Sequence, residues 1–136
     1  MGAPSGLLFL LLNANVAYFL AMSVAHWVGF KVPILFIYYD TPFYAYQDKI
    51  ISFCAATYAL LSYAAVCELS VVPFVIASLA LTTAGLSAIN ASDDLQKVLP
   101  VGAPTTAYWI QTAIIGALTV TLALLYTTST KKEKGK

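Results

Sequence analysis

Four stretches of the chain carry almost no charge and are long enough to cross a hydrocarbon layer, which takes roughly 20 predominantly apolar residues. They cover residues 7–29, 50–69, 71–89 and 105–127, and no charged side chain falls near the centre of any of them. The pattern predicts an all-α integral membrane protein with four transmembrane helices in a compact antiparallel bundle over residues 1–130, followed by a lysine-rich tail at 131–136. The second and third spans leave room only for a tight turn at Glu68, so they form an antiparallel hairpin.

The helix ends have local causes. Pro33, just after Lys31, makes continuation of the first helix past Phe30 costly. Pro73 falls in the first turn of the third helix, where its missing N–H is harmless. Pro100 and Pro104, with Gly102 between them, precede the fourth. The first span lacks a basic n-region and exceeds an ordinary signal-peptide core in length, so it is read as a retained helix.

Residues 31–49 connect the first two spans and read KVPILFIYYDTPFYAYQDK, with six Tyr or Phe between Phe36 and Tyr46. Such rings favour the headgroup layer, where ring and hydroxyl find different solvents. The segment is expected to lie along the bilayer as an aromatic-rich interfacial connector. The alternative is a re-entrant dip, since 32–39 is apolar but too short to span.

Composition sharpens the class. Sixty per cent of the 136 residues are apolar and 10% charged, against about half and a quarter in soluble domains. A water-soluble fold of this size could not bury that much apolar surface. All seven basic residues are lysines, which leaves no arginine clamp for a nucleic-acid backbone. The two cysteines, Cys54 and Cys67, lie thirteen residues apart in one helix. That separation is roughly 20 Å, which excludes a disulfide between them.

Lys131, Lys132, Lys134 and Lys136 follow the last span, whereas Lys31, Lys49 and Lys97 share the opposite side with Asp40, Asp48, Asp93 and Asp94. The lysine bias places both termini on the cytoplasmic side, or the equivalent side of an organelle. Lys132 and Lys134 have the spacing of a dilysine retrieval signal for the endoplasmic reticulum, and they equally anchor the helix against anionic headgroups. Asn90-Ala91-Ser92 fits a glycosylation acceptor on the opposite side.

Lipid gives no hydrophobic reward for helix association, so small residues that allow close approach are the expected contacts. The first helix repeats Ala17, Ala21, Ala25 and Gly29 every fourth residue. The second offers Ser52, Ala55, Ala56 and Ala59, the third Ala77, Ala80, Ala84 and Ala88, and the fourth Ala113 and Ala117. These are expected to line the bundle interior, with larger side chains toward lipid. The other face of the first helix carries Asn15, Tyr18, Met22 and His26. Two faces that both seek protein neighbours imply other membrane subunits or self-association.

Candidate chemistry is sparse. His26, the sole histidine, could ligate a haem or chlorophyll or relay a proton, and reads equally as an interfacial hydrogen-bonding residue beside Trp27. Tyr38, Tyr39, Asp40, Tyr44, Tyr46 and Asp48 form a candidate surface for a protein, lipid head or quinone, although Asp48 alone could serve as a helix N-terminal anchor. Glu68 is a candidate ion-coupling carboxylate. Asn13, Asn15, Thr82, Thr83 and Gln111 could line a pore in a multimer, but no ring of charge marks a filter. No phosphate loop, zinc-binding spacing, serine elbow or pair of intramembrane carboxylates occurs, and no cofactor is strongly implied.

The expected function is therefore a non-catalytic subunit, or an assembly or stabilising factor, of a larger membrane complex. A second reading is a small oligomeric transporter or channel with Glu68 or His26 as the titrating group. A third is a lipid- or quinone-directed membrane enzyme that uses His26.

Overall fold

The computed structural model describes residues 4, 6–36 and 43–134, with side chains to residue 130. Four of its helices are long and apolar enough to cross a membrane. They are α1 (Gly6–Val28), α2 (Ala45–Cys67), α3 (Val72–Asn90) and α5 (Thr106–Lys134), with a short α4 (Asp93–Val98) between the last two. The molecule is an integral, multi-pass helical bundle.

One spacing builds the core. Leu8, Leu12, Asn15, Phe19, Met22 and His26 are buried along α1, and Asp48, Ser52, Ala55, Ala59, Ser62 and Val66 along α2. Both series alternate steps of four and three. That is the heptad seam of knobs-into-holes packing, which keeps one narrow stripe facing a partner helix. On α5, Tyr108, Thr112, Ile115, Thr119 and Leu122 repeat it. α1 packs chiefly on α2 and α3 chiefly on α5; the seams between these two pairs are thinner.

The buried stripe on α1 is the polar one. Ala17 and Ala21 face outward and only Ala25 enters the interface. A strict four-residue repeat drifts roughly 40° around the helix per step, so it cannot follow a seam of mean spacing 3.5. The expectation of alanine-lined contacts also fails on α3, where Ala77, Ala80, Ala84 and Ala88 are exposed, and on α5, where Ala113 and Ala117 are exposed. Valine, leucine and threonine fill those seams. The Thr112 and Thr119 hydroxyls donate to Tyr108 and Ile115 carbonyls one turn back, so their burial leaves no donor unpaired. The close approach of α3 and α5 is at Gly116, where a Cβ would stand 3.2 Å from Thr83 Cγ2.

Gly29 is a helix stop. Its φ is +74°, and the Phe30 N–H reaches back to the Ala25 carbonyl at 2.9 Å, the 6→1 bond of a Schellman ending. Residues 32–36 then turn inward, closed by the Phe36 N–H donating to the Val32 carbonyl at 2.8 Å, and Phe36 is buried. At this point the connector packs Phe36 into the end of the bundle.

α2 begins five residues before the expected start at residue 50, so Tyr46, Asp48 and Lys49 belong to the helix and not to the connector. That first turn is too polar to register as a span. It is held because Asp48 Oδ2 accepts the Tyr44 N–H at 2.9 Å, satisfying a donor that has no intrahelical partner. The α2–α3 turn follows expectation: Glu68 accepts the Ser70 N–H and caps a single 3₁₀ turn over Leu69–Val71. Helix α4 was not anticipated. Ser92 caps it by accepting the Asp94 N–H, and Leu95 and Leu99 cover Tyr108 of α5. α5 runs through Lys134, so most of the lysine-rich tail continues a helix.

Candidate functional site

The facing stripes of α1 and α2 carry polar groups that meet in antiparallel order. At the connector end, the His26 Nδ1–H donates to Asp48 Oδ1 at 2.9 Å. One turn deeper the Ser23 and Ser52 hydroxyls are hydrogen-bonded at 3.0 Å. Next, Phe19 stacks on Tyr58 with ring centroids 4.9 Å apart, and Tyr18 meets Phe19 edge-on. Deeper still, Asn15 Nδ2 donates to Ser62 Oγ at 2.7 Å, and Ser62 donates to the Tyr58 carbonyl.

The connector end is the most elaborated part. His26 is wholly buried and Asp48 is 3% exposed. Phe36 stacks on the imidazole with centroids 4.0 Å apart and planes 18° from parallel. Asp48 uses both carboxylate oxygens, one for His26 and one for the Tyr44 N–H. Lys31 lies 5.4 Å from the centre of the Phe36 ring, and Lys49 of α2 lies 5.2 Å from that of Trp27 on α1. The pair thus fixes the end of α1, the start of α2 and the ring between them.

A second anchor lies beside it. The Ile34 carbonyl accepts the Tyr18 hydroxyl at 2.7 Å and Gln111 Nε2 at 2.8 Å, so α1 and α5 hold the same backbone oxygen. Ile34 has φ +78°, a conformation disfavoured for a β-branched residue. It persists where the surroundings over-determine it, and here two side chains from separate helices do so.

The chain matches no family model, no curated protein and no solved structure. Function must be argued from the geometry.

Chemically, a carboxylate that orients an imidazole is the arrangement found behind many metal-bound histidines. Among the described residues, however, no three His, Cys, Asp or Glu side chains gather to hold an ion. His26 is wholly buried, so a haem or chlorophyll reaches its in-plane ring nitrogen only if the side chains packed around it move. As built, the pair positions the connector.

The other candidates fall in separate places. Tyr44 and Tyr46 are exposed; Tyr38, Tyr39 and Asp40 lie outside the described residues. Glu68 sits at the far end of α2, at the turn. Asn13 donates to the Phe9 carbonyl of its own helix, whereas Asn15 and Gln111 are buried within the bundle. Cys54 and Cys67 are free thiols on exposed positions. Asn90 Nδ2 donates to Thr112 Oγ1 at 3.0 Å, which ties the glycosylation-type triplet into the α3–α5 contact. Sequence reasoning missed the pairing of His26 with Asp48, the role of Ser62 and the Ile34 anchor. The first was accessible: aligning the heptad series of α1 and α2 antiparallel sets His26 opposite Asp48, whereas it sets Asn15 opposite Ala59, one step short of Ser62.

Proposed function

We propose that the chain is a non-catalytic subunit, or an assembly or stabilising factor, of a larger membrane complex. The observation that carries this reading is the outer face of α3, where Ala77, Ala80, Ala84 and Ala88 are all exposed. Beside them, a Cβ at Gly85 would meet nothing within 4 Å. Their spacing is that of a helix-packing seam, yet among the described residues no helix occupies it. Small residues let another backbone approach closely, which is the main source of helix association in lipid. Meanwhile the polar side chains of the α1–α2 interface are bonded to one another, so they serve the scaffold before any chemistry.

The orientation that goes with this reading puts both termini on the cytoplasmic side, supported by the lysine excess after α5. Lys132 and Lys134 support residence in the endoplasmic reticulum. Tags at each terminus, probed with a protease that does not cross the membrane, test the orientation.

The functional test is purification of the tagged native protein in mild detergent, with mass spectrometry of what accompanies it. A stoichiometric set of membrane subunits is expected, and Ala80→Leu/Ala84→Leu is expected to lose it while the isolated chain keeps its helicity and thermal unfolding. A lone monomer or homo-oligomer from native membranes overturns the reading. Transport in liposomes abolished by substitution of Glu68 or His26 would favour the carrier alternative instead.

A further inference from the structure

The thin seam between the two helix pairs leaves a half-open cavity of about 90 Å³ in the half of the bundle nearer the connector. Phe19 and Met22 of α1, Cys54 and Tyr58 of α2, Leu86 of α3 and Ile115 of α5 are among its walls. No charged side chain lines it. Its polar groups are engaged elsewhere. Thr82 Oγ1 donates to the Ser78 carbonyl, so the Tyr58 hydroxyl donates to Thr82 Oγ1, at 2.6 Å. Gln111 Nε2 is committed to the Ile34 carbonyl.

A buried water needs two to four polar partners, and apolar cavities stay dry. Left empty, the space forfeits dispersion contacts along its walls. Its mouth lies on the α2 side, where Cys54 belongs both to the lining and to the exposed surface of a membrane-spanning helix. What stands outside that mouth is the hydrocarbon of the bilayer. The volume also selects. An apolar cavity of roughly 150 Å³ takes up a whole benzene molecule, and this smaller one, half open, suits the end of an aliphatic chain.

We propose that this cavity is a lipid site that takes one acyl-chain end of a phospholipid from the leaflet on the connector side, entering beside Cys54 between α2 and α3. The site joins the two helix pairs through the lipid as well as through side chains. Gln111, which closes its connector end, couples its occupancy to the Ile34 anchor. The proposal is independent of the assembly reading, because it concerns the isolated chain and a face other than the alanine track of α3.

The test uses the full chain purified in detergent. Phospholipid carried through purification is counted by native mass spectrometry, and thermal unfolding is followed before and after delipidation and after adding back dioleoyl phosphatidylcholine. The wild type is expected to retain one phospholipid, to lose thermal stability on delipidation and to regain it on add-back. Ala55→Leu places extra methyl groups into the cavity from a buried lining position. It is expected to abolish retention and the add-back response while unfolding no earlier than the delipidated wild type. Leu86→Phe fills the same space from α3 and keeps the test decisive if Ala55→Leu does not fold. Ala80→Leu, on the outer face, is expected to retain the lipid. Absence of a retained lipid in the wild type overturns the proposal. So does equal retention by the folded filled variants, or an add-back response that they share with the wild type.

Discussion

Separating His26 from Asp48 is the perturbation whose size the structure defines best. In Asp48→Ala, the His26 Nδ1–H loses a carboxylate acceptor in a site that is 0% and 3% exposed on its two sides. A hydrogen bond to a charged group contributes about 1.5–3 kcal/mol. The same substitution removes the acceptor for the Tyr44 N–H, a capping contact worth about 1 kcal/mol. The expected loss is therefore about 2.5–4 kcal/mol. His26→Ala leaves the buried Asp48 carboxylate one donor short, which costs at least about 1–3 kcal/mol. Asp48→Asn offers one acceptor where two donors converge, so it restores one contact and not both. Side-chain hydrogen bonds in membrane proteins average only about 0.6 kcal/mol, because the unfolded chain in lipid also finds partners. That average should describe Ser23–Ser52, where both groups are neutral. The decisive assay is a double-mutant cycle over His26→Ala and Asp48→Ala, read by loss of helicity during titration of mixed micelles with a denaturing detergent. A coupling of about 2 kcal/mol is expected. A coupling no larger than the Ser23–Ser52 value, near 0.6 kcal/mol, would show that the pair is an ordinary polar contact and that the connector is held by something else.

Gly29→Ala puts a Cβ at φ +74° and 3.1 Å from the Phe43 ring; a loss of at least about 1–2 kcal/mol is expected in the same titration. Ile34→Gly relieves a positive φ at a half-buried position, so its stability should equal or exceed the wild type, whereas Ile34→Pro, with φ fixed near −65°, should release the anchor. A large loss in the glycine variant would refute the strain assigned there. Asn15 is 1% exposed, and its Oδ1 is buried without a hydrogen-bond partner. Asn15→Leu keeps the branching, removes that group at about 1–3 kcal/mol and forfeits the Ser62 contact at about 0.6 kcal/mol, so a net gain of about 1 kcal/mol is expected, and a substantial loss would mean that the oxygen is satisfied.

The sequence alone determined that the chain crosses the membrane four times. The reason is thermodynamic: hydrocarbon demands runs of apolar residues whose backbone bonds close within the run. It also placed the Glu68 turn and the proline-marked start of α3, because those signals act over a few residues. Hydropathy could not find the start of α2, since Ala45–Lys49 is polar and is stabilised by a cap. Nor could it tell which face of each helix turns inward. In water an apolar stripe marks the core, but in lipid both faces of a helix are free to be apolar, so alanine tracks and heptad seams compete for the same reading. Only the tertiary structure decided that polar stripes meet between α1 and α2 while the α3 alanines face outward. Likewise, Ile34 and Gln111 are 77 positions apart in the chain, and their bond depends on how two helix pairs pack, a property carried by no local segment.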